Sequence, residues 1–113
     1  MEFVNCTPHR LSVAISSISE GDEMHFLTFE PSGVLPRIET VEVDAGHIGA
    51  VPTITVTRGK IENLPAPEKG KTLIVSGMVF AETDRLDVVA PDTGKTAIRK
   101  DGRIVAVRRF IRN

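Results

Sequence analysis

The chain has 113 residues, with 14 Lys and Arg against 15 Asp and Glu, one cysteine, five Phe and neither Trp nor Tyr. That length predicts a single domain spanning residues 1–113, large enough to bury a core without a metal or a disulfide, and the lone Cys6 excludes an internal disulfide. The formal net charge of −1 conceals an asymmetry: residues 1–50 hold 2 basic and 8 acidic side chains, while residues 93–113 hold 7 basic and 1 acidic.

A basic C-terminal end suits phosphate or an acidic partner. It equally suits the acidic half of its own fold or of a neighbouring subunit, and that second reading is preferred. The shortage of aromatics argues against nucleic acid, because single-strand binders stack bases on aromatic platforms. Met1-Glu2-Phe3-Val4-Asn5 has no basic n-region, and no long apolar segment follows. A cytoplasmic protein with no membrane association is therefore expected. Asn5-Cys6-Thr7 matches a glycosylation sequon, a match without meaning outside a secretory route.

In chain order, Phe3 and Val4 predict a short first strand ending in an Asn5-Cys6-Thr7-Pro8-His9 turn, where proline fixes φ. Leu11, Val13 and Ile15 alternate with small polar residues, the period of a half-buried strand. Ser19 to Glu23 reads as a loop and Met24 to Phe29 as the returning strand of a hairpin. Pro31-Ser32-Gly33 is a turn. From Pro36 to Asp44 the alternation slips, and a bulge near Glu39-Thr40 restores it; Gly46 to Gly49 is read as a loop. Thr53 to Arg58 is the cleanest alternation, with Ile54 and Val56 expected inside and the threonines outside. Gly59 to Gly70, with two prolines and two glycines, predicts an irregular surface crossing.

The stretch from Lys71 to Thr93 holds the longest apolar run. Thr72 to Val75 reads as a buried strand. Ser76 is an N-cap for one short helix over about 77–84, with Met78, Val79 and Ala81 facing inward. Val88 to Ala90 predicts another strand, stopped at Pro91-Asp92. In the tail, Thr96 to Lys100 and Arg103 to Ile111 flank Asp101-Gly102, a two-residue hairpin signal. Val105 and its neighbours Ile104, Ala106 and Val107 are expected to be covered on both faces. Together these elements predict a mainly β, antiparallel domain, barrel-like or a curled sandwich, with one short helix and a C-terminal hairpin.

The chain carries no sequence signature of a nucleophile elbow, a zinc protease, a redox dithiol or a phosphate-binding loop. His9, His25 and His47 lack metal-ligand spacing, so neither a metal nor a cofactor is expected. Asp84, Asp87 and Asp92 could gather at one end of the central stretch for acid–base work, but Asp84 and Asp87 bracket Arg85, the pattern of an ordinary ion-pair cluster. Cys6 reads as a small core residue. An anionic ligand would be met by Ser76 and Gly77 at the helix start and by Arg85, Arg99, Arg103 and Arg108, whose forked donors match phosphate. Asn5 and His9 would complete that pocket if the first turn lies nearby, and a subunit contact is where such a pocket is expected.

Asn5-Cys6-Thr7-Pro8-His9 also resembles the opening Asn-Leu-Thr-Pro-His of a family of small, mostly uncharacterised proteins from bacteriophages, prophages and some bacterial genomes. Gly59 to Ser76, Arg85 to Asp92 and Gly102 to Arg108 are similar to later segments of that family, in order, with Cys6 where the family has Leu. The resemblance implies a phage-related setting in the cytoplasm of a bacterial host and says nothing of activity. The leading expectation is a non-enzymatic accessory protein, a homo-oligomer acting by binding. Its target would be a host or defence protein, or a nucleotide-like phosphorylated ligand sequestered as an anti-defence sponge does. The alternatives are a virion structural or assembly protein, and a small hydrolase using Asp84, Asp87 and Asp92 with His9.

Overall fold

A computed structural model describes residues 1–16 and 24–113. Along them run β1 (Glu2–Asn5), β2 (Leu11–Ser16), β3 (Met24–Phe29), β4 (Arg37–Ile48), β5 (Val51–Glu62), β6 (Lys71–Ile74), α1 (Gly77–Ala81), β7 (Val88–Pro91), β8 (Ile98–Lys100), β9 (Arg103–Ala106) and β10 (Phe110–Arg112). The protein is mainly β with one short helix, as the alternation of apolar residues predicts. The expected loop over Ser19 to Glu23 lies outside the described residues.

The centre is a four-stranded sheet in the order β1-β6-β7-β10. Its first three strands run parallel and β10 returns antiparallel, so the sheet is mixed where an antiparallel one was expected. Neither this sheet nor the hairpins close into a barrel. The parallel pairs follow from the connections. The chain between β6 and β7 makes its crossover through α1, which lets the second strand start again at the same edge of the sheet.

Alternation along the central strands gives the sheet two dressed faces. On one, Leu73, Val75 and Val88 pack with Cys6 and with Val79 of α1, joined by the half-buried Val4, Ile38, Ile61, Leu64 and Phe80. On the other, the rings of Phe3, Phe29 and Phe110 meet at centroid distances of 5.4, 5.4 and 6.3 Å, and Phe29 brings the β2–β3 hairpin onto that face. Ile74, Val75 and Val88 are wholly buried. The helix is one turn long rather than extending to Asp84: Ser76 caps it by accepting from the Val79 N–H at 3.4 Å, and it ends at Glu82.

Three two-stranded hairpins are attached to this sheet. In β2, Val13 and Ala14 are both buried while Ile15 is 42% exposed, so the expected inside–outside alternation is lost. The cause is a third neighbour: Val107 bonds to the backbone of Ser12 and Ala14 and covers the strand from the side. The same contact ends β9 early. The tail was expected to run as one strand to Ile111, but it leaves β9 at Ala106, docks Val107 on β2 and re-enters the central sheet as β10. Ile104 and Val105 consequently stay exposed, where cover was expected, and Ala106 and Val107 are buried. The Asp101-Gly102 turn forms as predicted, with φ of 55° and 77° and Lys100 opposite Arg103.

The remaining hairpin is a long arm. β4 and β5 pair over 12 residues each, with the bulge between Ile38 and Thr40 that the sequence predicts and a second irregularity between Asp44 and His47. Gly59 lies opposite the first bulge, where a Cβ would come 3.2 Å from the Glu39 carboxylate. The segment over Gly46 to Gly49, expected as a loop, is strand as far as Ile48 and turns only at Gly49-Ala50. Gly59 to Glu62, expected in an irregular crossing, likewise belongs to β5. Only the base of the arm, Ile38 and Ile61, reaches the core. Beyond it the ribbon extends on the order of 30 Å at the usual strand rise. The molecule measures 61 × 37 × 23 Å with a radius of gyration of 17.8 Å, against about 13 Å for a compact chain of this length.

Candidate functional site

The Asn-x-Thr-Pro-His stretch forms a clasp. Asn5 ends β1 at 2% exposure, and every polar atom of its side chain is used. Its Nδ2 donates to the His9 carbonyl at 2.9 Å and to the Phe29 carbonyl at 3.0 Å. Its Oδ1 accepts from the Thr7 N–H at 3.0 Å and the Thr7 hydroxyl at 2.6 Å. Asparagine is the residue for this place because one short side chain offers two donors and an acceptor. The turn is thereby locked to itself and to the end of β3, and the backbone of Asn5 adds a bond from the Ser32 N–H. His9 contributes its carbonyl, while its residue is exposed. Cys6 beside the clasp is buried and free; burial pushes its thiol pKa up, partly offset by the Ser32 hydroxyl at 4.0 Å.

The other expected ligand contacts are spread over the molecule. Ser76 and Gly77 are exposed at a helix of five residues, with the hydroxyl turned to its own cap. The cation beside them is Arg37 at the base of the arm, which shares a shallow cavity of about 320 Å³ with Ser76 and Val79. Arg85 is committed to Asp87, donating from Nε at 2.9 Å and Nη2 at 2.7 Å. That fork holds the Asp87 carboxyl below the usual carboxylate range against the opposing effect of burial. Arg99 donates to the carbonyls of Thr93 and Gly94 at 2.8 and 3.1 Å. Arg103 and Arg108 are exposed on and after β9. Sequence spacing could not show that Arg85 and the tail arginines belong to different elements of the fold, rooted at different strands.

The three aspartates do not gather as expected. Asp87 precedes β7 and Asp92 follows it, which sets them about 16 Å apart along an extended strand. Asp92 accepts from the Arg109 Nε at 2.6 Å, the Gly94 N–H at 3.0 Å and the Thr96 hydroxyl at 3.4 Å; the Arg109 contact is the chief reason its carboxyl titrates low. Asp84 is exposed. Among the described residues no cluster of three His, Cys, Asp or Glu side chains could hold a metal. An open groove of about 340 Å³ lies beside the phenylalanine trio, lined by Phe3, Thr72, Leu86, Val89, Phe110 and Arg112 among others.

The largest feature without an internal purpose is the arm. On one of its faces Val41 and Val43 lie opposite Thr57 and Thr55; on the other Glu42 and Asp44 lie opposite Val56 and Ile54. The four aliphatic residues are between 48% and 54% exposed. Ile54 and Val56, expected inside, are therefore at the surface, because they lie beyond Arg58, whose pairing with Glu82 at the end of α1 ties down only the base of the ribbon. The pairing register is the missing signal. Each strand alone reads as half buried, but pairing sets an aliphatic row beside a threonine or carboxylate row on both faces, so neither face is a continuous core surface. The chain matches no protein-family model, no curated protein and no solved structure.

Proposed function

We propose that the protein is a non-enzymatic binding module, of the phage-related accessory type that its opening motif resembles, and that the β4–β5 arm is its docking element. One observation carries this reading: the arm stands on the order of 30 Å clear of the core with aliphatic side chains half exposed along both faces. A lone two-stranded ribbon is marginal in water, so cover from outside is what gives such an arm its purpose. The separation of Asp87 from Asp92 and the commitment of both to arginines weigh against the hydrolase reading. The dispersal of Ser76, Arg85, Arg103 and Arg108 weighs against one phosphate pocket within a single copy.

A photo-crosslinking side chain placed at Val56, beside Glu42 on the arm, in bacterial cells making the protein tests the proposal. A discrete product of higher mass is expected from Val56 and none from the exposed Glu68 on the core. Equal, diffuse labelling from both positions would remove the arm from consideration. Calorimetry against linear and cyclic nucleotides is expected to show no binding at micromolar strength.

A further inference from the structure

We infer that the partner of the arm is a second copy of this chain, whose basic C-terminal hairpin receives the Glu42–Asp44 row. This rests on the reading of the arm as a docking element and adds the identity of what it docks to. The first ground is charge. Glu42 and Asp44 project from one face of β4, each with an aliphatic residue opposite, Val56 and Ile54. At the tip of the β8–β9 hairpin, Lys100 and Arg103 are direct cross-strand partners. Like charges placed opposite one another oppose pairing, and Asp101 in the turn offsets only part of it. An anionic row from elsewhere relieves that repulsion. The hairpin also carries exposed Ile104 and Val105, so it presents cations beside aliphatics where the arm presents carboxylates beside aliphatics.

The second ground is placement. The arm is rooted through Ile38 and Ile61 on the Cys6–Val79 side of the central sheet. The C-terminal hairpin is tied through Val107 to β2, whose partner β3 packs Phe29 on the opposite face. No ion pair links the arm to the C-terminal hairpin among the described residues. An acidic row and a basic tip held on opposite faces of one copy meet when two copies exchange arms. The third ground is area. One ribbon face of roughly 30 by 10 Å, buried against the neighbour in both directions of such an exchange, removes on the order of 1,200 Å² from water, the lower bound of stable protein interfaces.

The test uses the full-length purified protein in native mass spectrometry and sedimentation. Wild type is expected to run as a dimer at tens of micromolar and to dissociate as salt is raised. The double variants Glu42→Lys/Asp44→Lys and Lys100→Glu/Arg103→Glu are each expected to be monomeric with unchanged circular dichroism. Mixed together they are expected to regain a complex of one copy of each, since both exchanged contacts then pair opposite charges again. A wild type that stays monomeric at 100 μM overturns the second-copy inference. If the Val56 crosslink then leads to a different protein, the docking role of the arm stands; if it gives no product, both fail. A dimer that persists unchanged in the two double variants overturns the assignment of the basic hairpin as the receiving surface.

Discussion

The central sheet and the β4–β5 arm are made of the same kind of residues and meet opposite fates. In the sheet, Ile74 and Val88 are wholly buried, because α1 and the base of the arm cover one face and the phenylalanine trio with β3 covers the other. In the arm, Ile54 is 53% exposed and its strand has a single neighbour. Period-two alternation reports that a backbone is extended. What lies on the apolar side is decided by which segments return to cover it, and that is a property of the whole chain.

The sharpest way to break the contrast is to truncate one residue in each region. Ile74→Ala should cost about 2–5 kcal/mol, the range for opening a cavity in a packed core. Ile54→Ala should cost under about 0.5 kcal/mol in the monomer, as surface substitutions do. Urea titrations at low micromolar protein measure both. Equal losses would mean that the arm is covered within one copy, and the comparison would fail. At concentrations where copies associate, the Ile54→Ala cost should grow, because the side chain is then taken out of water.

A second prediction concerns how the hairpins are held to the sheet. Asn5→Ala removes two donors and an acceptor from a site that water does not reach, takes the Asn5 donor from the Phe29 carbonyl and the acceptor from the Thr7 N–H, and leaves the His9 carbonyl only the Thr7 hydroxyl. A loss of about 2–4 kcal/mol is expected from one buried, multiply bonded amide. Asn5→Asp should be nearly as costly, since it keeps the acceptor and loses both donors. Hydrogen exchange should quicken in β1 and β3 and stay unchanged in the arm. A uniform change over the whole chain would show that the clasp is not local to the β1–β3 junction.

These two regions also mark what the sequence made legible. Ser76 as an N-cap, the Asp101-Gly102 turn and the bulge beside Glu39 were readable, because each depends on a few neighbouring residues and a fixed backbone requirement. The break at Val107 was not, because it depends on β2 lying alongside, a contact between residues more than ninety positions apart. The mixed central sheet was hidden for the same reason. Asn5 was legible as a turn residue, while its ties to Phe29 needed the fold. Among the candidate site residues, the chemistry of each side chain was plain and their distances were not: Arg85 was already balanced by Asp87 two positions on, which made an ion-pair cluster the better reading from the outset.

The smallest effect separates the two regions by charge. In the core region, Arg85 and Asp87 form a forked pair that remains partly accessible. On the arm, Glu42 and Asp44 make no ion pair among the described residues. The guanidinium holds the folded-state pKa of Asp87 below that of the unfolded chain, chiefly through its hydrogen bonds. A depressed folded-state pKa adds stability that is fully present above the unfolded carboxylate value and is lost as pH falls through the folded one. The difference in unfolding free energy between wild type and Asp87→Asn should therefore be flat above about pH 5 and shrink below about pH 4. Its size should be at most about 1 kcal/mol, since water still screens the pair. Asp92, held low by Arg109, is present in both proteins, so its own titration cancels from the difference. Glu42→Gln in dilute protein should change stability by less than about 0.5 kcal/mol, as surface substitutions do. If instead that substitution costs the monomer as much as Asp87→Asn does, the arm carboxylates have a cation partner within the same chain, and the exchange between copies is not needed to explain the charge pattern.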